Sequence, residues 1–289
     1  MYYQFYGLKE NPFNITSDPS FFFFSQKHNE ALSHLLYGVS QRKGIMVITG
    51  EIGTGKTTVC RYFLNNVGKK VKTACILNPQ FSDFELLEAI VKDFGIKVRV
   101  RTNVSFVWEL NRFLLRESRR GHNVVLLIDE AQNLSPEQLE QVRLLSNLET
   151  QKDKLLQVVL VGQPELNHTL HLDRLRQLRQ RISVWYHISP LNAQEVKSYI
   201  THRLSIAGAD GRISFSDEAV ESIWKFSLGT PRLINIICDR ALLAGFINET
   251  ALIDSTIINI SLEELNKCSI MKETRKRYQV TSTLTSTVP

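Results

Sequence analysis

The chain has 289 residues, of which 43% are hydrophobic and 22% charged, and carries a formal net charge of +6 at pH 7. That length can bury a large α/β core plus a smaller second domain, and the composition is ordinary for a soluble globular protein. The mild positive charge permits an anionic partner, whether nucleotide, nucleic acid or membrane surface, and requires none. Cys60, Cys75, Cys238 and Cys268 are scattered without a C-x-x-C pair, which excludes a zinc or disulfide framework and predicts reduced thiols in a cytoplasmic protein. The first residues lack the basic start and apolar core of a signal peptide, and the longest apolar runs fall far short of the ~20 residues needed to cross a bilayer.

Along the chain, residues 26–40 form an amphipathic helix pattern, with Ala31, Leu32, Leu35, Leu36 and Val39 at helical spacing. The phenylalanine run 21–24 before it reads as a short buried strand or turn feeding the core; a sharper reading of the region lays residues 11–15 over a bound adenine. Five apolar runs, 45–49, 71–77, 124–128, 156–161 and 182–188, are continuous rather than alternating, as expected of parallel strands buried on both faces. Helical patterns at 56–66, 83–94, 106–120, 136–148 and 166–178 separate them, giving right-handed crossovers and a covered parallel sheet. After Pro190 the strand signal stops. Helices are expected at 192–207, 216–226, 231–248 and 255–267, with capping-like starts at Asn192 and Ser216. The polar, basic stretch from residue 270 onward is expected to be disordered.

The strongest chemical signal is Gly50-Glu51-Ile52-Gly53-Thr54-Gly55-Lys56-Thr57-Thr58. Its glycines let backbone N–H groups converge on a phosphate without Cβ clashes. Lys56 reaches the β- and γ-phosphates of ATP, and the Thr57 hydroxyl coordinates Mg²⁺. An apolar strand precedes the loop and a helix follows it, so the helix N-terminus adds its own positive end. The second signal is Asp129-Glu130 at the end of the 124–128 run, where an open α/β sheet places its ligand. Asp129 is the expected Mg²⁺ partner, acting through water, and Glu130 the residue that activates the attacking water. His168 and His171 form an i, i+3 pair with no third ligand nearby and read as surface residues.

A strand at 71–77 between the phosphate loop and Asp129-Glu130, followed by a helical lid, resembles the AAA+ class of ring-forming ATPases. More narrowly, the sequence resembles the ExeA/GspA-type general secretion pathway ATPases, on Phe5-Tyr6-Gly7-Leu8 with Asn11-Pro12-Phe13, the Gly50 to Thr58 loop, Asp129-Glu130-Ala131-Gln132 and Gly162-Gln163-Pro164-Glu165-Leu166. The run from Leu175 to Ile182 and Gly229-Thr230-Pro231-Arg232 complete the match, which covers residues 1 to about 267. The fold implied is a three-layer αβα P-loop NTPase with a parallel five-stranded sheet and a C-terminal all-α lid. The expected division is 1–40 as an N-terminal linker and helix packing on the ATPase core, 41–190 as the nucleotide-binding domain, 191–267 as the lid and 268–289 as a tail.

The resemblance also implies roles that spacing does not. Asn78 matches the residue that can hold the catalytic acid in an inactive pose, and Gln163 the sensor of the γ-phosphate or lytic water. Arg232 matches the lid arginine, and Arg181 the arginine finger offered in trans to a neighbouring subunit, with Arg179 as the alternative. A finger acting in trans implies a homo-oligomer, as a ring or a filament. The leading expectation is an ATPase that drives or assembles a cell-envelope secretion, pilus or polysaccharide-export machine. Family members commonly continue into a transmembrane helix and a periplasmic domain; with no such segment here, contact with the inner membrane is expected through a partner protein. An ATP-regulated DNA-binding protein of the transposition-regulator kind is the alternative, since the arginine-rich 174–181 segment and basic tail also suit nucleic-acid phosphates. A non-hydrolysing nucleotide switch is the third.

Overall fold

The computed structural model describes residues 2–16, 18–150 and 153–267, and the expected tail at 268–289 lies outside the described residues. The chain forms two compact units, one spanning Ser17–Ser189 and the other joining the first 16 residues to the chain from Pro190 onward.

The larger unit is a parallel sheet of β1 (Ile45–Gly50), β2 (Val71–Ile76), β3 (Asn123–Ile128), β4 (Gln157–Gly162) and β5 (Ile182–Ile188), in the order β2-β3-β4-β1-β5. Alternate residues of each central strand face opposite helical layers and are buried there. Val124, Leu126 and Ile128 pack in one core with helices α4 (Asp83–Asp93), α5 (Asn103–Arg119) and α6 (Pro136–Leu145). Val125 and Leu127 face the other core, beneath α2 (Gln26–Ser40) and α3 (Lys56–Asn66). Burial on both faces is why these runs are continuous rather than alternating. The phenylalanine run supplies a single 3-10 turn, Pro19–Phe21, and buries Phe21 and Phe22.

The helix expected over 166–178 is broken into α7 (Glu165–Leu170), a 3-10 turn and α8 (Arg176–Arg179). Leu172, with ψ 139°, leaves the helical region and interrupts the ladder. α5 starts three residues earlier than the apolar spacing suggests, because Thr102 caps it through its hydroxyl to Ser105 N.

The smaller unit contains α9 (Ala193–Ile206), α10 (Asp217–Ser227), α11 (Pro231–Ile247) and α12 (Ser255–Lys267). A parallel pair of two-residue strands, Ser214–Phe215 and Leu252–Ile253, ties its loops together; pieces this short leave no periodic signal. The capping starts are both formed: Asn192 and Glu195 make a reciprocal box, and Ser216 Oγ accepts from Ala219 N.

Residues 2–16 correct the expected grouping of 1–40 with the core. They include the short helix α1 (Tyr2–Tyr6) and pack within the helical unit. The buried Arg203 guanidinium donates to the carbonyls of Pro12 and Asn14, and Tyr6 Oη donates to the carbonyls of Leu242 (3.1 Å) and Thr250 (3.0 Å). Phe13 is buried there and Lys9 N donates to Ala207 O at 2.9 Å. Stretch 11–15, alternatively read as a cover over adenine, thus spends its backbone carbonyls at Pro12 and Asn14 on Arg203.

Candidate nucleotide site

Three neighbouring strand ends build the site. Register pairs Thr49 with Gly162 and Leu160 with Ile128, so β1, β4 and β3 deliver the phosphate loop, Gln163 and Asp129-Glu130 to the same edge of the sheet. The carboxyl edge of a parallel sheet is where such folds place ligands.

The loop from Gly50 to Lys56 turns tightly into α3. Gly55 sits at φ 94°, a left-handed conformation closed to most L residues, and a Cβ there would come within 3.0 Å of His28 Nε2. Lys56 is buried, and its ammonium donates to Gly50 O (2.7 Å) and Glu51 O (2.8 Å). Burial pushes its pKa down, while Glu130, Asp129 and Glu51 pull in the other direction. A desolvated cation at a helix N-terminus, on a glycine-rich loop, is chemistry suited to a phosphate. Glu51 is raised, first by burial and then by the charge of Glu165, with Lys56 opposing.

Thr57 Oγ1 donates to Asp129 Oδ2 at 2.7 Å, so the two oxygens expected at Mg²⁺ are already adjacent. Asp129 is buried, and its pKa is raised by burial against the hydrogen bonds from Thr57 and Glu130 N. Among the described residues no group of three or more His, Cys, Asp or Glu could hold a metal. An oxygen pair of this kind fits Mg²⁺, which prefers few protein ligands and completes its shell with phosphate and water oxygens.

Glu130 occupies the left-handed region, at φ 53° and ψ 39°, and its N–H donates to Asp129 Oδ1 at 2.9 Å. Its Oε2 accepts from Gln163 Nε2 at 3.1 Å and from Gln132 Nε2. Gln132 Oε1 in turn accepts from Gln163 N at 3.0 Å. Asn78 does not touch the acid: its Oδ1 accepts from Asn133 Nδ2 at 2.9 Å. The strand ends therefore bring Lys56, Thr57, Asp129, Glu130 and Gln163 together, while Asn78 follows the neighbouring strand β2 and pairs with Asn133.

The arginines differ in commitment. Arg179 donates to the carbonyls of Leu170 (3.4 Å) and His171 (3.1 Å), capping α7, and Arg174 pairs with Glu137. Arg181, directly before β5, is exposed and makes no ion pair or side-chain hydrogen bond among the described residues. Arg232 is exposed in the first turn of α11, following Pro231.

Two contributors escape sequence reasoning. His28 Nε2 lies 2.8 Å from Thr54 O, and its Nδ1 lies 2.9 Å from Ser25 Oγ. A carbonyl only accepts, so Nε2 carries the proton and the Ser25 hydroxyl donates to Nδ1. His28 thereby fastens α2 to the phosphate loop. The signal was its spacing, i, i+3, i+7 with Ala31 and Leu35 on the buried stripe of α2. The other is Gln132, whose two-ended contact no spacing announces.

The AAA domain family matches residues 39–170. General secretion pathway protein A of Aeromonas hydrophila is 47% identical over 247 residues, covering 85% of this chain and 45% of that protein. The chain thus spans less than half the length of that relative. Among solved structures, Cdc6p from Pyrobaculum aerophilum is similar with a TM-score of 0.62 at 20% identity, covering 91% of this chain and 70% of that one. The RuvB Holliday junction branch migration motor of Thermotoga maritima is similar with a TM-score of 0.55 at 19% identity, covering 84% and 70%. At these identities the structural likenesses establish the fold alone. Residues 39–170 thus carry an AAA domain, and the chain is related to general secretion pathway protein A.

Proposed function

We propose that this chain binds ATP with Mg²⁺ at the Gly50 to Thr58 loop and hydrolyses it to ADP and phosphate. The observation that carries the reading is the convergence of Lys56, the Thr57–Asp129 pair, Glu130 and Gln163 on one edge of the sheet. Lys56 and the loop amides hold the phosphates. Thr57 and, through water, Asp129 would hold Mg²⁺, and the ion would supply neutralisation of phosphate charge. Glu130 orients the attacking water and accepts its proton, and Gln163 senses the γ-phosphate or that water. By family resemblance Arg232 is assigned as the lid arginine that reports on the γ-phosphate, whereas Asn78 pairs with Asn133 and not with the acid.

Arg181 is the better candidate for the trans finger, since Arg179 is spent on capping α7. A finger in trans makes the competent enzyme a homo-oligomer, a ring or a filament, weakly active as a monomer. By its relationship to general secretion pathway protein A, the cycle is assigned to assembly or remodelling of a cell-envelope secretion, pilus or polysaccharide-export machine. The chain is placed in the cytoplasm, peripheral at the inner membrane through a partner protein. Among the described residues no helix is long and apolar enough to cross a membrane. Phosphate release measured against protein concentration tests the reading: turnover per site should rise as the chain assembles, and a flat dependence would remove the finger in trans.

One surface favours a second reading, DNA binding regulated by nucleotide. Trp108 on α5 is 62% exposed beside Arg112, with Lys97 and Arg99 lining the same shallow groove. An aromatic face among cations suits a stacked base and its phosphates. Binding to a labelled oligonucleotide with a steep salt dependence would support it, and none at low salt would dismiss it.

A further inference from the structure

Gln132 makes contacts that the motif roles leave unexplained. Its side-chain amide is clamped at both ends: Oε1 takes the Gln163 backbone N–H at 3.0 Å, and Nε2 donates to Glu130 Oε2. The amide cannot be reversed, because its carbonyl would then face the carboxylate and its NH₂ the Gln163 N–H. The backbone is shaped around this bridge. A Cβ on Gly162 would lie 2.9 Å from Gln132 Oε1, 3.0 Å from Leu166 Cδ2 and 3.3 Å from Gln132 N, so a larger residue would crowd the seat of the amide. The Gln163 side chain donates to the same Glu130 oxygen at 3.1 Å. One carboxylate oxygen of Glu130 is thus held by two amides, while Oε1 takes no hydrogen bond among the described residues.

We propose that Gln132 is a positioning residue for hydrolysis: it locks Oε2 of Glu130 to the end of β4 so that Oε1 alone faces the attacking water and takes its proton. Asn78, to which family resemblance gives the holding of the acid in an inactive pose, pairs instead with Asn133. The proposal rests on the reading of Glu130 as the general base. It predicts that the bridge acts on the chemical step and leaves nucleotide binding untouched, because Gln132 contacts neither the phosphate loop nor Lys56.

The test uses the full chain and Mg²⁺-ATP, with Glu130→Gln, Gln132→Met and Gly162→Ala beside the wild type. Met keeps the length of Gln and removes both hydrogen bonds; Ala at 162 deletes no polar group but crowds the Gln132 amide and the Leu166 side chain. Both variants are expected to lose about 10- to 100-fold in kcat, the scale of a catalytic group released from its geometry, with unchanged affinity for a fluorescent ATP analogue. The loss should fall on kcat alone, with KM for Mg²⁺-ATP unchanged. A purely structural role for Gln132 would lower the midpoint of unfolding and shift KM and nucleotide affinity along with kcat. If Glu130→Gln is inactive while Gln132→Met keeps the wild-type kcat, the bridge is refuted and the Glu130 reading stands. A rise in kcat in Gln132→Met would make the bridge a brake and equally overturn positioning. If Glu130→Gln turns over at the wild-type rate, the Glu130 reading falls and the proposal with it.

Discussion

Replacing His28 with Phe isolates the tie between α2 and the phosphate loop. The ring contact with Phe22, 5.4 Å between centroids, is kept, and the Nε2–H donor to Thr54 O is lost. Thr54 is 1% exposed, so water cannot replace the donor. A buried carbonyl left without a partner costs about 1–3 kcal/mol. Expressed wholly as loss of the binding-competent loop, that corresponds to about 5- to 150-fold weaker nucleotide affinity. Titration with a fluorescent ATP analogue reads this directly, and the urea midpoint should fall in parallel. His28→Gln, whose amide can donate to the same carbonyl, should recover part of both. Unchanged affinity and midpoint in His28→Phe would refute the argument that this hydrogen bond shapes the loop.

Asp129→Asn tests the buried carboxylate. An acid with a raised folded pKa holds its proton more tightly folded than unfolded, so its contribution to stability falls as pH climbs from the unfolded value, about 3.9, through the folded one. Asn should therefore raise the urea midpoint above that pH range without nucleotide, and abolish stabilisation by Mg²⁺-ATP. Arg181→Ala should keep nucleotide affinity and lose turnover, by as much as about 10³-fold, with activity partly restored on mixing with Glu130→Gln, which brings an intact finger. Arg203→Leu strips donors from Pro12 O and Asn14 O and should destabilise the helical unit by about 2–5 kcal/mol. Faster hydrogen exchange at the Lys9 amide would report it.

The parts of the fold that sequence made legible are those where one rule acts alone. The strands at 45–50 and 123–128 are buried on both faces, so hydrophobic continuity is enough to find them. Asp129 and Glu130 stand out because they end such a run. The helix over 166–178 fails for the converse reason: its leucines keep helical spacing, yet the backbone turns at Leu172. Residues 2–16 are misplaced because their anchors are distant in sequence, Arg203 and Leu242 among them. Hydrogen bonds to backbone carbonyls leave no mark on composition or period. Gln132 is hidden by the same cause, since only the register of β3 against β4 brings Gly162 and Gln163 to it.

Phosphate release by wild type and Glu130→Gln, at nucleotide occupancy matched by direct binding, bears on hydrolysis most directly. The arrangement around Lys56, Thr57 and Asp129 does not involve the Glu130 carboxylate in phosphate binding, so affinity should be unchanged in the variant. Loss of a general base should slow release by about 10²- to 10⁴-fold. Equal rates from the two proteins at equal occupancy would contradict the assignment of Glu130 and, with it, the mechanism built on this site.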